Sequence, residues 1–575
     1  MTHRLTTLFS AIRLRSHTRL VSFLVLLGVF IALRLPFARS TLGDGREKVD
    51  ELNLTLSGVD RFLGAPFTNT HWPGMINQAL LVPAISVDFL VQSRFRPTPE
   101  IFIEYLAATY RAPWSVLWLG RILVIGVASL GFASLALALA RFSQRSWETV
   151  LGIIGITSIP ELWDYTFRAN GEGMGLGLLC LATVAAFSRI GSETAWFLRP
   201  LLAGLFAGLA LACRNTLLPY LLFLAATLWM NSPDKRGRIL LVFIAATGVF
   251  GVLGCPALWI EPIRFAKANL GNYRKQGAPI GSLAALRIML AGAPVWFGGC
   301  SLLALIYAWF RGWSALCIGA LAATALLIYT AAGSPFVNAR YFISLDLVFG
   351  VLVVLTLAGI RQQLPVRLGR IYGWAVAGAA LTLVFFGART LAASASADAA
   401  ISEAKTVRQY IARSAGKRIA IPFDYFYHTA AFATNRSFQT IGERLETALA
   451  DNSSTADYLR GYGFAEIVAQ SLPLDFNEKD RAFAARLRVM AAASHPGAVE
   501  IYYYGAESYA KRNGLLTAEE ALTMLHHGQL DGVISTRLPT DRPEPGVCLD
   551  GNVVLLTRNL PLDSQTSPLP SRNRN

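Results

Sequence analysis

Asp44, Asp50 and Glu51 are among the carboxylates that follow closely on the first apolar run of the chain, in the stretch GDGREKVDEL. A carboxylate held at a membrane surface can serve as a general base, because partial burial raises its pKa and sets it beside a hydroxyl. On charge pattern alone, a hydrated acidic loop reads the same way. A second acid, Glu172, ends the segment Arg168-Ala169-Asn170-Gly171-Glu172 between two apolar runs. An acid in that setting is a functional candidate by default, and pairing with Arg168 as a structural bridge is the plainer alternative. Arg214 lies between two short apolar runs, where it either binds an anion or reaches toward lipid headgroups. Arg340, followed by Tyr341, together with Lys267, Arg274 or Lys275, can hold a phosphate, since guanidinium offers a two-pronged fork to oxyanions. Solvated loop charges pairing with headgroups are the bland reading of the same cations.

The elements that must position these groups are membrane helices. The chain is 54% hydrophobic and only 15% charged, against about 25% charged in ordinary globular proteins. Val21–Leu35, Trp114–Ala140 and Trp374–Gly387 each carry at most one charge, and crossing the hydrocarbon takes roughly 20 apolar residues in a helix. The fold expected is a polytopic α-helical membrane protein of about eleven spans. They fall on the first run and near 113–140, 147–166, 172–189, 197–213, 215–231, 238–258, 284–310, 313–331, 341–360 and 370–390. The apolar pattern recurs far beyond a cleavable leader, so the first run reads as an uncleaved span.

Arg4, Arg13, Arg15 and Arg19 precede that span without an acid, which places the N-terminus in the cytoplasm by the positive-inside tendency. An odd span count then leaves the C-terminal part outside, in a cell inner (plasma) membrane. The first external loop covers 38–75, and Met75–Val91, interrupted by Pro83 and Asp88, reads as an interfacial helix. Membrane residues 1–391 are followed by a soluble α/β domain over 392–560 and a polar tail, 561–575, expected to be disordered. From Ala395 onward, 19 lysines and arginines face 20 acids, whereas the preceding residues hold 33 against 16. The basic excess therefore belongs to the membrane region, which points to anionic lipid or phosphate and away from nucleic acid. Strands are expected at Arg418–Pro422, Asp531–Thr536 and Asn552–Thr557, and helices at Ala399–Ser414, Glu443–Asp451, Lys479–Ala493 and Thr517–His527. Tyr502-Tyr503-Tyr504 reads as an aromatic strand packed in a core, with sugar stacking as the alternative.

The order of features resembles the membrane-embedded C-type glycosyltransferases, the superfamily of the protein O-mannosyltransferases and the lipid A aminoarabinose transferase. Asp50-Glu51, then Gly64, then His71-Trp72-Pro73-Gly74 follow the first span as in that family. The family usually has two prolines after its histidine, and Trp72 stands at the first. Arg168 with Glu172, Arg214 in Cys213-Arg214-Asn215-Thr216, and Asn338-Ala339-Arg340-Tyr341 resemble further family features over residues 20–390. The resemblance implies transfer of a sugar from a polyprenyl-phosphate donor to a glycolipid, glycan or protein acceptor, with inversion at the anomeric carbon. Asp50 would be the base, supported by Glu51 or replaced by Asp44, with Arg340 and the loop cations on the departing phosphate. If Asp50, Glu51 and Glu172 converge, their oxygens suit magnesium or manganese, and the sequence leaves metal dependence open.

No GxGxxG, Walker loop, GxSxG or HExxH occurs, and neither the six cysteines nor the seven histidines form a ligand set. Against the transferase stand a transporter or flippase, or a scaffold for envelope polysaccharide assembly. Transporters of this size usually show internal repeats and charges within the bundle, and no repeat is visible.

Overall fold

In a computed structural model, the membrane part is described over residues 16–42, 49–62, 75–98, 114–140, 146–188, 196–260 (save 233) and 280–397 (save 293, 335, 336 and 338). The C-terminal part is described over 413–422, 467–469, 499–505, 515–535, 546–550 and 553–557, with scattered positions between these ranges.

The helices run α1 (Ser16–Ser40), α2 (Val49–Phe62), α3 (Met75–Gln92), α4 (Trp114–Ala140), α5 (Ser146–Thr157), α6 (Pro160–Phe167), α7 (Gly171–Phe187), α8 (Leu198–Cys213), α9 (Tyr220–Met230) and α10 (Arg236–Leu253). They continue with α11 (Ser282–Gly292), α12 (Val295–Phe310), α13 (Ser314–Ala332), α14 (Ile343–Arg361) and α15 (Val366–Ala397). Among the described residues, six helical stretches are long and apolar enough to cross a membrane: those of α1, α4, α10, α13, α14 and α15. These make the chain a multi-pass membrane protein.

Several expected spans are short or broken. The run 147–166 divides into α5 and α6 at Pro160, whose ring lacks an N–H and restricts the residue before it, and α6 then meets α7 at a bend of 105°. Gly292 and Pro294 similarly separate α11 from α12, also at 105°. The runs 197–213 and 215–231 form shorter apolar helices, divided at Arg214, whose backbone is extended (φ −160°, ψ 123°).

Close helix crossings use small residues, the usual device where lipid supplies no hydrophobic drive between helices. A Cβ on Gly131 of α4 would lie 2.2 Å from the Gly177 carbonyl oxygen of α7, so the two helices meet backbone to backbone. Leu81 of α3 fits over Gly58 of α2. Arg34, buried within α1, donates from Nε to the Thr166 hydroxyl (2.8 Å) and from Nη1 to the Phe30 carbonyl (3.1 Å). Its guanidinium lies 5.0 Å from the Phe132 ring centroid, which joins α1 to α4 and α6.

The described residues fall into two units, one built on the membrane helices and one containing a C-terminal sheet. Its strands are β1 (Arg418–Pro422), β2 (Ile467–Ala469), β3 (Val499–Gly505), β4 (Leu516–Thr517), β5 (Gly532–Ser535), β6 (Gly546–Asp550) and β7 (Val553–Leu556), with α16 (Ala518–His526) between β4 and β5. The order is β2-β3-β1-β5-β7-β6, with β4 on the end of β3. The β2, β3, β1 and β5 ladders are parallel, and β7 and β6 are added antiparallel. Tyr503 is buried on one face, while Tyr502 and Tyr504 pack half-buried beside α16 on the other, as alternation along a strand requires. Thr517 caps α16 reciprocally with Glu520. The expected helices at 443–451 and 479–493, and the tail from 561, lie outside the described residues.

Candidate active site

The centre of the site is the turn between α6 and α7. The α6 helix ends at Phe167, Arg168 turns extended (φ −88°, ψ 146°), and Asn170 caps α7 by accepting the Gly173 N–H at 3.0 Å. Residues 168–170 thereby lie between the two helices, and residues 168–172 present side chains to two clusters.

The first cluster gathers on Glu51, one turn into α2 and fully buried. Arg121 of α4 reaches it with both prongs, Nε to Oε1 and Nη2 to Oε2, each at 3.0 Å. Arg168 Nη1 adds 3.1 Å to Oε2, and the Ala169 backbone N–H adds 2.7 Å to Oε1. The remaining donors of Arg121 go to the Ala38 carbonyl and the Thr41 hydroxyl at the end of α1. Asp164 accepts from Arg168 Nε at 2.7 Å. One carboxylate therefore ties α2 to α4, to the 168–169 turn and, through Arg121, to α1. Burial alone would push the Glu51 carboxyl up; Arg121 and Arg168, with the bonds donated by Arg121 and Ala169, outweigh it and hold it below the ordinary carboxylate value.

The second cluster lies on the other side of the same turn. Glu172, in the first turn of α7, pairs with Arg214, whose Nε is 3.2 Å from Oε1. This is an ion pair whose geometry falls short of an aligned hydrogen bond. Gly175 makes room for it: a Cβ there would lie 2.3 Å from Leu217, so α7 can approach the break after α8. Arg340 and Tyr341 lie in a single 3-10 turn, Ala339–Phe342, leading into α14. The guanidiniums of Arg214 and Arg340 lie 6.0 and 5.8 Å from the centroid of the Tyr341 ring, within the range of cation–π attraction.

The structure thus brings Arg214, Glu172, Arg340 and Tyr341 together and gathers Glu51 with Arg168. Glu172 pairs with Arg214 rather than with Arg168, the partner suggested by spacing. Glu51 has a setting unlike that of a base, because both oxygens receive donors. Asp50 precedes it on the same helix, with its side chain outside the described residues, as are Asp44, His71, Lys267, Arg274 and Lys275.

Arg121 was not singled out from the sequence, although it is the lone charge in the apolar run Trp114–Ala140, the signal of an intramembrane functional residue. A magnesium or manganese ion on Glu51 would have to displace two guanidiniums, so Glu51 does not fit as a ligand. Among the described residues no three His, Cys, Asp or Glu side chains assemble as a metal site.

No protein-family model matches the chain, and no curated protein matches it. Solved structures do. The crystal structure of ArnT from Cupriavidus metallidurans bound to undecaprenyl phosphate is 13% identical, over 94% of this chain and 99% of that one, with a TM-score of 0.43. The apo structure of the same protein is 12% identical, over 80% of this chain and 87% of that one, with a TM-score of 0.35.

Proposed function

We propose that the chain is an integral-membrane glycosyltransferase that moves a sugar from a polyprenyl-phosphate donor to an acceptor at the outer face of the membrane. The observation that carries this reading is the arrangement around residues 168–172. On one side the turn fixes α2, the helix of Asp50; on the other it holds Arg214 beside Arg340 across one tyrosine ring. A base carrier and a pair of guanidiniums supported by one turn is the layout that inverting sugar transfer from a lipid phosphate needs.

In the reaction, the Asp50 carboxylate takes the proton of an acceptor hydroxyl as its oxygen bonds to the anomeric carbon. The bond from that carbon to the donor phosphate oxygen breaks on the opposite face, so the configuration inverts. The phosphate leaves with added negative charge, and the Arg340 and Arg214 guanidiniums stabilise it, since fixed donors aimed at developing charge lower the barrier most. Glu51 acts through position: with its carboxylate locked, α2 cannot slide, and Asp50 stays in place. No nucleotide-binding motif is needed, because the sugar arrives already activated on lipid. Glycolipid, glycan and protein remain the acceptor classes.

The test is transfer of radiolabelled sugar from a panel of synthetic polyprenyl-phosphate sugars into membrane extract by the purified protein. Asp50→Asn and Asp44→Asn are run beside it. Loss at Asp50 alone, by about 10²–10⁴-fold for removal of a general base, supports the assignment. Loss at Asp44 alone moves the base there. Transfer from no donor overturns the enzyme reading in favour of a transporter or scaffold.

A further inference from the structure

At the end of α14 far from Arg340 lies a second buried ion pair that sugar transfer does not use. Arg361, the last residue of α14, donates from Nε to Oε1 of Glu148, in the first turn of α5, at 3.3 Å. Two glycines of α15 make the slot that holds it. A Cβ on Gly369 would lie 2.0 Å from Arg361 Nη1, and one on Gly373 would lie 2.6 Å from Glu148 Oε1.

The slot contains more acceptor capacity than it uses. Glu148 is 5% exposed and Thr149 4% exposed, and among the described residues neither Glu148 Oε2 nor Thr149 Oγ1 has a hydrogen-bond partner. Both residues line a cavity of about 10 Å³ together with Arg361, Tyr372, Val354 and Leu357. The Tyr372 hydroxyl donates elsewhere, to the Leu357 carbonyl at 3.0 Å. An ionised carboxylate oxygen only accepts hydrogen bonds, and leaving it buried without a donor is costly. A cavity of this size admits one group as large as a water molecule.

We propose that Glu148 Oε2 and Thr149 Oγ1 form a binding site for one hydrogen-bond donor of water size, either an internal water or the terminal ammonium of a lipid headgroup. The lipid source has support in the surroundings. Arg367 and Arg370 are exposed on the same first turns of α15, where they suit a headgroup phosphate. Trp147 and Trp374, with ring centroids 6.4 Å apart, are both exposed beside the slot, as in the aromatic belts found at membrane interfaces. The site is independent of any reaction at Arg340 and stands or falls by itself.

The experiment is a structure of the full chain, at a resolution that shows ordered water, in nanodiscs of phosphatidylethanolamine or of phosphatidylcholine. Native mass spectrometry of wild type, Glu148→Gln and Thr149→Val accompanies it. A single peak about 2.7–3.2 Å from both oxygens in either lipid identifies a water. A peak continuous with a headgroup in phosphatidylethanolamine only, with about tenfold preferential retention of that lipid lost in Glu148→Gln, identifies the ammonium. No peak in either lipid and no retention preference, or an Oε2 turned onto a second Arg361 nitrogen, overturns the site. Because the wild-type density decides, misfolding of a variant does not shelter the idea.

Discussion

The clusters on the two sides of residues 168–172 use the same residue types to opposite ends. Around Glu51, each prong of Arg121 meets its own oxygen, and Arg168 and the Ala169 N–H meet them again. Around Tyr341, the contacts include the ring itself and one ion pair that is not an aligned hydrogen bond. The first arrangement has a single geometry, since moving any helix breaks several charge-assisted bonds at once. The second includes attraction to an aromatic ring, which falls off gently with displacement compared with a two-pronged carboxylate bond. One cluster ties several helices through one carboxylate, and the other sets two guanidiniums near one ring.

The contrast breaks first at Glu51. Glu51→Ala leaves the buried Arg121 without its carboxylate, keeping only the Ala38 carbonyl and the Thr41 hydroxyl, and the expected cost is about 3–5 kcal/mol of stability, read as a lower midpoint of thermal unfolding in detergent. An unchanged midpoint would make this cluster as pliable as its neighbour. At Arg340 the opposite split is expected. Arg340→Ala should lower kcat/KM for the lipid-phosphate donor by about 10²–10³-fold with little change in unfolding. Arg340→Lys should recover only part of it, because an ammonium lacks the planar fork. Equal loss of activity and stability would return Arg340 to a structural role.

Acid sharpens the comparison. The Glu51 carboxyl is held below its ordinary value, 4.5, so its contribution is fully present above that pH and is lost as pH falls through the lower value of the folded protein. The difference in unfolding midpoint between wild type and Glu51→Gln should therefore stay constant from neutral pH to about pH 5 and shrink below about pH 4.5. The smallest effect belongs to the ring. Tyr341→Phe should leave donor affinity nearly unchanged, whereas Tyr341→Leu should weaken it by about 0.5–2 kcal/mol, measured as binding of a synthetic polyprenyl-phosphate sugar. Loss in the Phe variant would shift weight from the ring face to the hydroxyl.

Much of this was legible in residue order. Among the described residues the longest apolar runs became six helices of spanning length, and the strands at 418–422, 532–535 and 553–556 fall where alternation and short apolar runs placed them. What was lost was direction. Arg168 and Glu172 are four apart, the spacing of helix neighbours, yet the Asn170 cap starts α7 after Arg168, so the two side chains leave the turn toward different partners. Arg121 was visible as a charge without being visible as half of a pair, because its carboxylate is 70 residues earlier. The β3 strand of the C-terminal sheet shows in sequence only as three tyrosines, and its place beside β1 depends on pairing between distant segments.

Arg34 gives the chain a schedule. A lone arginine in a spanning helix costs roughly 2.5–3.5 kcal/mol to insert at mid-membrane, and one of its acceptors, Thr166, is 132 residues further on. At about 5–20 residues per second of synthesis, α1 waits roughly 7–26 s for that partner, while Arg121 enters with Glu51 already made. The first helix of the bundle is thus satisfied only once α6 has been made, and a chain truncated before residue 166 should hold α1 in the membrane less firmly than the full protein does.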